Sequence, residues 1–221
     1  MKIVGIIQAR ISSNRLPGKV MLDICGKTLL ERVIDQAKKS ELLQEIYVAT
    51  SMNQDDELVE IVAKNASVYC YRGSLNDVFQ RFLETIELSK ADIVVRITAD
   101  NPLTNYELID YGIKHLMNNK LDYVGYENVP IGTAVEIFTA TSFKSISQNK
   151  LNEYDREHVT PYYYKEETNF KIDFIRDYYK RDLSYISLTI DTYDEYVNIY
   201  KLFSLNKQIS LDVIIDRFHK S

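Results

Sequence analysis

Three cationic side chains share one polar loop near the start of the chain. Residues 8–19 read Gln-Ala-Arg-Ile-Ser-Ser-Asn-Arg-Leu-Pro-Gly-Lys and contain Arg10, Arg15 and Lys19. Cationic side chains and backbone amides together neutralise a polyphosphate, and Gly18 lets a ligand approach the backbone closely. The loop is neither a Walker A nor a GxGxxG loop, because it lacks their glycines. From charge alone a solvated surface loop is the commoner explanation, so phosphate binding is one of two interpretations.

Two aspartates follow apolar segments, where strands are expected to end. Asp100 follows the segment 93–97, and Asp191 follows the segment 186–190. Carboxylates that converge beside a cationic loop suit Mg²⁺ bound together with substrate phosphates, because Mg²⁺ takes few protein carboxylates and completes its shell with water or phosphate oxygens. For either aspartate alone, a cap on the next helix is the commoner explanation.

The elements that would position these residues alternate between strands and helices up to about residue 121. Such alternation indicates βαβ units and a mostly parallel sheet, which binds ligands at the carboxyl ends of its strands. We predict strands over 2–8, 45–50, 67–71 and 92–97, and helices over 28–37, 55–65, 76–89 and 105–118.

Two of these helices carry specific signals. Thr28 and Glu31 have the spacing of a capping box. In the helix over 55–65 we expect Leu58, Ile61 and Val62 to face inward, because they recur at helical spacing.

The pattern is less regular after residue 121. No internal repeat, flexible linker or block of charge divides the chain, so we expect residues 1–221 to form one domain. We predict strands over 123–126, 134–138, 170–175 and 185–190, and helices over 155–165, 194–205 and 211–218.

The composition excludes several classes of protein. The chain has 221 residues and a formal net charge of −5, which argues against a general binder of nucleic acid or anionic membranes. Cys25 and Cys70 are too few for a disulfide framework, and we expect them to be buried packing residues. No apolar run is long enough to span a membrane, and the N-terminal apolar stretch is too short for a signal peptide. We therefore expect a cytoplasmic protein.

Five ordered motifs resemble the sugar-acid cytidylyltransferases, which make CMP-activated nonulosonic and octulosonic acids. The sequence of the first loop resembles that of one branch of the family, which is named for a spore-coat polysaccharide cytidylyltransferase. This branch is related to CMP-Kdo synthetase and acylneuraminate cytidylyltransferase. The motifs span residues 2 to about 205. They are the loop from Gln8 to Val20, Tyr71-Arg72-Gly73-Ser74-x-x-Asp77-Val78, Arg96-Ile97-Thr98-Ala99-Asp100-Asn101-Pro102-Leu103, Arg156-Glu157-His158-Val159-Thr160-Pro161 and Leu188-Thr189-Ile190-Asp191-Thr192.

The resemblance implies a fold and a reaction. The expected fold is α/β, with three layers and a mostly parallel sheet like that of nucleotide-diphospho-sugar transferases, plus a small dimerisation subdomain at about 125–170. The expected reaction transfers CMP from CTP to an acidic sugar and releases pyrophosphate. A homodimer through the tyrosine-rich region 155–164 is expected, with CTP and the sugar as the partners.

The resemblance also implies roles for individual residues. It makes Arg10, Lys19 and Asp100 catalytic, and it makes Asp100 and Asp191 ligands of Mg²⁺. It assigns the nucleotide to Ala9, Arg10, Ser13, Arg15, Gly18, Lys19, Arg72, Gly73, Ser74 and Asp77, and the acceptor to Glu136, Glu157 and His158.

The residues themselves keep simpler explanations open for several of these positions. Arg72 to Ser74 could hydrogen-bond a base edge or form an ordinary helix cap, and Glu136 could be a solvated strand residue. A histidine at a helix start, such as His158, is more often a surface or interface residue than a base.

Two departures from the family pattern bear on the substrate. Ile131 stands where relatives usually have Arg, and Ala134 stands where they have Asp. An alternative is therefore a CTP-dependent enzyme with a phosphate or phosphonate acceptor. Two further alternatives are a nucleotide-sugar glycosyltransferase and a non-catalytic nucleotide-binding protein. The former is expected to carry Asp-x-Asp where this chain has Thr98-Ala99-Asp100-Asn101.

Overall fold

In the part of the chain that the structure describes, seven strands form one sheet. The computed structural model describes residues 1–165, 167–205 and 211–218. The strand order is β3-β2-β1-β4-β6-β5-β7. All neighbours pair in parallel except that β6 runs antiparallel to β4 and β5. The strands are β1 (Ile3–Gln8), β2 (Glu45–Ser51), β3 (Tyr69–Gly73), β4 (Ile93–Thr98), β5 (Tyr123–Tyr126), β6 (Glu136–Thr139) and β7 (Ile172–Ile175).

Helices cover both faces of the sheet. Successive residues of β1 point to opposite faces, so Ile3 and Ile7 pack into one apolar cluster and Val4 and Ile6 into the other. Residues of α1, α2, α4, α7 and α8 join the first cluster, and those of α3 and α5 join the second. The predicted three-layer arrangement is confirmed. The helices are α1 (Leu29–Ala37), α2 (Glu57–Asn65), α3 (Val78–Ser89), α4 (Tyr106–Asn119), α5 (Ala140–Ser145), α6 (Glu153–His158), α7 (Tyr193–Leu205) and α8 (Leu211–Phe218).

Sequence signals predicted local structure correctly where they correspond to a specific contact, such as a helix cap. The capping box of Thr28 and Glu31 is present at the start of α1. In α2 the predicted face was wrong, because Leu58 and Ile61 are 54% and 52% exposed while Val59 is buried. Residues 58, 61 and 62 form one helical stripe and 59, 62 and 63 another, so periodicity alone cannot choose between them.

Two predicted elements in the second half differ from the structure. The segment 185–190 forms a single bridge, between Ser187 and Ile131, instead of a strand. It is held by loop hydrogen bonds, and its alternating apolar residues are buried without a ladder. The predicted helix 155–165 is broken into α6 and a 3-10 turn, Pro161–Tyr164. The two elements are separated by Val159 at φ 73°.

Residues 125–170 do not fold apart from the rest of the chain. The strands β5 and β6 of this segment belong to the central sheet, so the structure does not confirm a separate dimerisation subdomain. Cys25 and Cys70 are half-buried rather than buried. Within the described residues, no helix has the length and apolar character needed to cross a bilayer.

Candidate active site

A cavity of about 330 Å³ opens at the carboxyl ends of β1 and β4. It lies where a parallel sheet is expected to bind its ligand. Most of the predicted site residues line it, together with several that were not predicted. The lining residues are Gln8, Ala9, Arg10, Ser13, Asn14, Arg15, Lys19, Val20, Val78, Arg81, Arg96, Thr98, Ala99, Asp100, Glu157, His158 and Asp191.

A larger cavity, of about 840 Å³, lies beside α1 and the start of α4. Three of its charged groups contact protein partners: Lys27 pairs with Asp35 at 2.5 Å, and Arg32 donates to the carbonyl of Ile24. The smaller cavity is the candidate active site, because cations and carboxylates from distant segments converge there at the ends of the strands.

Lys19 joins the two predicted aspartates. Its Nζ donates to Asp100 Oδ2 at 2.9 Å, to Asp191 Oδ1 at 2.8 Å and to the carbonyl of Ile190 at 3.0 Å. Arg15 contacts the second oxygen of Asp191 at 2.9 Å. Lys19 is only 9% exposed, so the ion pairs sit at the base of the cavity. We call Arg15, Lys19, Asp100 and Asp191 the charged cluster.

The backbone places Lys19 through Gly18, which begins a 3-10 turn at φ 73°. Glycine adopts this left-handed conformation without the strain that a Cβ brings. Gly18 therefore has a conformational role, and it is not among the residues that line the cavity.

Neither aspartate of the charged cluster caps a helix. The cap of α4 is Asn105, whose side chain accepts from the amide of Glu107 at 2.7 Å. At the start of α7, Thr192 Oγ1 accepts from the amide of Glu195 at 3.4 Å. The side chains of Asp100 and Asp191 therefore face the cavity instead of a helix end.

Close backbone contacts hold the two aspartates in one unit. The amide of Ile190 donates to the carbonyl of Asp100 at 2.9 Å. Gly132, at φ +88°, fits between these segments, where a Cβ would lie 2.8 Å from the nitrogen of Thr189 and 2.9 Å from the carbonyl carbon of Leu188. Only glycine satisfies both the backbone conformation and the space.

The donor set of the charged cluster fits a small hard cation. Asp100 and Asp191 offer carboxylate oxygens, and the ammonium of Lys19 between them shows that the position favours positive charge. Within residues 1–165, 167–205 and 211–218, no group of three or more His, Cys, Asp or Glu residues is arranged to hold a metal. Two carboxylates suffice for Mg²⁺ only if water or phosphate oxygens complete its shell.

The predicted nucleotide residues at the end of β3 and just before α3 do not line the cavity. Arg72 donates to the carbonyls of Ser51 and Asn53. Asp77 caps α3 and pairs with Arg156. Gly73 ends β3 and Ser74 follows it, and neither lines the cavity.

Residues in the first turn of α3 line this part of the cavity instead. Val78 and Arg81 of α3 line the cavity, and the sequence analysis missed both. The signal that could have found Arg81 is its place on the inner face of the helix, beside Val78 and Phe82, where a solvated arginine would not stand.

The predicted acceptor residues separate into two groups. Glu157 and His158 line the cavity. Glu136 instead accepts from Tyr123 and Thr160, each at 2.6 Å, and pairs with Arg96. Burial and the neighbouring carboxylate raise the pKa of Tyr123 well above its usual value, so its hydroxyl remains a donor.

A strained turn presents Glu157 and His158. The amide of Thr160 donates to the carbonyl of His158 at 2.9 Å, across the buried Val159. With φ 73° and ψ −53°, Val159 has the geometry of a γ-turn, which is rare and costly for a β-branched residue. The bond from Thr160 to Glu136 helps to hold this turn. Glu136 therefore supports the cavity wall from behind.

Known proteins place this architecture in one family. Residues 4–217 match the family model described as Cytidylyltransferase. An uncharacterised protein of Methanocaldococcus jannaschii, MJ1063, is 39% identical over 228 residues, covering 100% of this chain and 92% of the relative. The spore coat polysaccharide biosynthesis protein SpsF of Bacillus subtilis is 31% identical over 206 residues, covering 91% and 86%.

Solved structures agree with these matches. A cytidylyltransferase from Leptospira borgpetersenii superposes with a TM-score of 0.93 at 30% identity, covering 100% of this chain and 94% of that one. A CMP:2-keto-3-deoxy-manno-octonic acid synthetase solved with CTP shares the fold, with a TM-score of 0.72 at 15% identity and coverages of 93% and 99%. The family match covers nearly the whole chain, and the sheet and its cavity agree with it. The chain therefore belongs to the cytidylyltransferase family.

Proposed function

We propose that this protein transfers CMP from CTP to a hydroxyl of an acidic sugar, of the nonulosonic or octulosonic acid type, for the synthesis of a surface polysaccharide. The charged cluster carries the proposal, because it combines cations for phosphates with carboxylates for a divalent cation. The name of SpsF supports the polysaccharide, and the CTP complex of the synthetase with the same fold supports the nucleotide.

The reaction requires alignment and charge neutralisation. The acceptor hydroxyl releases its proton to water and attacks the α-phosphorus of CTP. The bond from the α-phosphorus to the oxygen that bridges to the β-phosphorus breaks, and pyrophosphate leaves with that oxygen. Arg10, Arg15 and Lys19 stabilise the charge that develops on the leaving group. Asp100 and Asp191 would hold Mg²⁺, which when bound would supply Lewis-acid stabilisation of phosphoryl oxygens and make the acceptor hydroxyl more acidic.

The acceptor side is formed by Glu157 and His158. Both line the cavity, and Glu157 also contacts Arg10 at 3.3 Å. Ile131, where relatives usually have arginine, is 51% exposed and adds no charge here. A phosphate or phosphonate acceptor is the second candidate, because Arg10 and Arg96 offer cations to an acceptor anion.

The experiment is a measurement of pyrophosphate release. Each NTP is combined with Mg²⁺ and a panel of acidic sugars and phosphorylated acceptors. Release with CTP and an acidic sugar supports the proposal, and release only with phosphorylated acceptors moves the function to the second candidate. No release with any pair, together with hydrolysis of a UDP-sugar, contradicts nucleotidyl transfer and favours a glycosyltransferase.

We further propose a homodimer through residues 155–164. Tyr154 and Tyr164, at the two ends of this region, are 61% and 46% exposed, and tyrosines suit surfaces that are partly apolar and partly polar. Light scattering over a concentration series should give twice the monomer mass. The variant Tyr154→Ser should shift the equilibrium toward monomer. A monomer at every concentration contradicts the proposal.

A further inference from the structure

Arg81 is a buried charge whose hydrogen bonds are incomplete. It is 1% exposed and lies on α3, at the wall of the cavity. Its Nη1 donates to the carbonyl of Ser74 at 2.6 Å. Its Nε is buried and has no hydrogen-bond partner among the described residues.

A purely structural role explains this arrangement poorly. Holding one carbonyl of a loop requires a single donor, which a neutral side chain supplies without the cost of burying a charge. Burial, with a further contribution from Arg10, lowers the pKa of Arg81 to about 10, while Asp56 and Asp77 oppose the shift. The guanidinium therefore remains charged at neutral pH, with donors in excess of its protein partners.

The geometry of a guanidinium limits what could complete these bonds. The group is planar and presents N–H groups in parallel pairs along its edges. Because Nη1 lies on the side of Cδ and is bound to Ser74, the second edge consists of Nε and Nη2. This edge matches two neighbouring acceptor atoms in one plane.

The position of Arg81 within the cavity indicates which part of a nucleotide it meets. The helix α3 follows β3, whereas Asp100 follows β4 on the other side of β1. Arg81, in the first turn of α3, therefore lies on the β3 side of the loop after β1, and Asp100 lies on its β4 side. Val78, in the same turn of α3 as Arg81, and Ala9, directly after β1, add apolar surface to the cavity, which suits a planar base.

On this basis we infer that Arg81 recognises the base of the nucleotide, by donating from Nε and Nη2 to O2 and N3 of cytosine. The inference rests on the proposed use of CTP and extends it to nucleotide specificity. Cytosine presents two adjacent acceptors, O2 and N3. Uracil carries a proton at N3, which would face a donor of Arg81, so UTP is rejected. A bidentate contact of this type discriminates by about 5- to 150-fold.

The first test uses the wild-type protein and three ligands without an acceptor. Dissociation constants are measured with Mg²⁺ for CTP, for UTP and for the triphosphate of 2-pyrimidinone riboside, which keeps O2 and N3 but lacks the 4-amino group. We expect the pyrimidinone nucleotide to bind close to CTP and UTP to bind about 5- to 150-fold more weakly. A pyrimidinone nucleotide rejected as strongly as UTP overturns the inference, because the amino group is then the recognised feature.

The second test uses Arg81→Lys, which keeps the charge and one donor for Ser74 but removes the paired edge. The matched control is Arg32→Lys, an arginine outside this cavity that also holds loop carbonyls, those of Ile24 and Cys25. We expect Arg81→Lys to abolish most of the preference for CTP over UTP and Arg32→Lys to preserve it. An unchanged preference in folded Arg81→Lys overturns the inference. If that variant fails to fold, the three-ligand series decides.

Failure of the proposed function gives a different result. A protein that prefers CTP in binding but releases no pyrophosphate with any acceptor contradicts the proposed reaction and supports the role of Arg81. A protein that releases pyrophosphate equally well from CTP and UTP overturns the role of Arg81 alone.

Discussion

The two ends of the cavity differ in how their charges are satisfied. In the charged cluster, Lys19 Nζ already has three acceptors, two of them carboxylates. At the other end, Arg81 has one hydrogen bond and an unpaired donor among the residues that the structure describes. A ligand at the charged cluster must exchange existing partners, so the net gain is a small difference between large terms. A ligand at Arg81 gains a bond without breaking one. Selectivity among nucleotides is therefore expected at the α3 end, and chemistry at the charged end.

Among the substitutions that test this difference between the two ends of the cavity, Asp100→Asn should cause the largest loss of CMP transfer. The variant keeps the shape of the side chain and removes the charge, so CMP transfer should fall about 10²- to 10³-fold, the loss typical of one electrostatic contact in a transition state. The melting temperature should fall only slightly, because Asn still accepts a hydrogen bond from Lys19 and Lys19 keeps its ion pair with Asp191. The measurement is Mg²⁺-dependent pyrophosphate release beside a thermal melt. Near-native turnover would remove Asp100 from the chemistry.

Asp110→Asn is the control for Asp100→Asn. Asp110 is another partly buried carboxylate, which accepts from Ser40 and the amide of Glu41 away from the cavity. Its replacement should alter stability without altering turnover per folded molecule. A comparable loss of turnover in both variants would show that the effect of Asp100→Asn is not local.

Lys19→Met and Arg15→Met should separate binding from stability. Each variant loses a charge-assisted contact to triphosphate, worth about 1.5–3 kcal/mol, so CTP affinity should fall about 10- to 150-fold. Lys19 is buried between two carboxylates, and its loss leaves them unpaired, so the apo protein should also melt earlier. The Arg15 side chain is 67% exposed, and solvent screens its pair.

Calorimetric CTP titration and thermal melts of the two apo variants measure these effects. Arg15→Met is the matched control for Lys19→Met, because its melting temperature should match that of the wild type. Equal melting temperatures for both variants would contradict the buried position of Lys19. Unchanged CTP affinity in both would remove the loop after β1 from the nucleotide site.

Glu157→Gln should have the smallest effect. The Glu157 side chain is 57% exposed and pairs with Arg10 at 3.3 Å, so stability should change by less than about 0.5 kcal/mol. Removing the charge frees Arg10 for the triphosphate, and CTP affinity without an acceptor should rise a few-fold at most. Titration at low salt measures the change, because screening weakens exposed pairs. Weaker CTP binding would instead indicate that Glu157 contacts the nucleotide.

The parallel half of the sheet was predictable because its signals are local. Apolar runs and a capping box define β1, β4 and α1, and the carboxyl ends of parallel strands indicate where Asp100 belongs. The convergence of Asp100, Asp191 and Lys19 followed from this rule and from the family resemblance. The roles of the arginines at the end of β3 and the start of α3 were not predictable from the sequence, since Arg72 donates to nearby carbonyls while Arg81 lines the cavity.

The second half depends on contacts between distant segments. Residues 185–190 have the alternation of a strand, but loop 130–133 takes their hydrogen bonds at a single bridge. Glu136 looks like a surface residue of a short strand, and its role as an anchor depends on Thr160 and Arg96. Neither partner can be identified from the local pattern around Glu136.

The fit of Gly132 against the segment before Asp191 has a consequence for folding. The contact brings together parts of the chain that are far apart in sequence, and closing such a loop costs entropy before its contacts repay it. The parallel strands β1, β2 and β4 can pair before residues 188–191 dock. During refolding, the β-sheet signal in circular dichroism should therefore recover before the ability to bind a fluorescent nucleotide. Gly132→Ala should lengthen that delay. The nucleotide-binding site would then form only when the short segment 188–191 docks, after the sheet has folded.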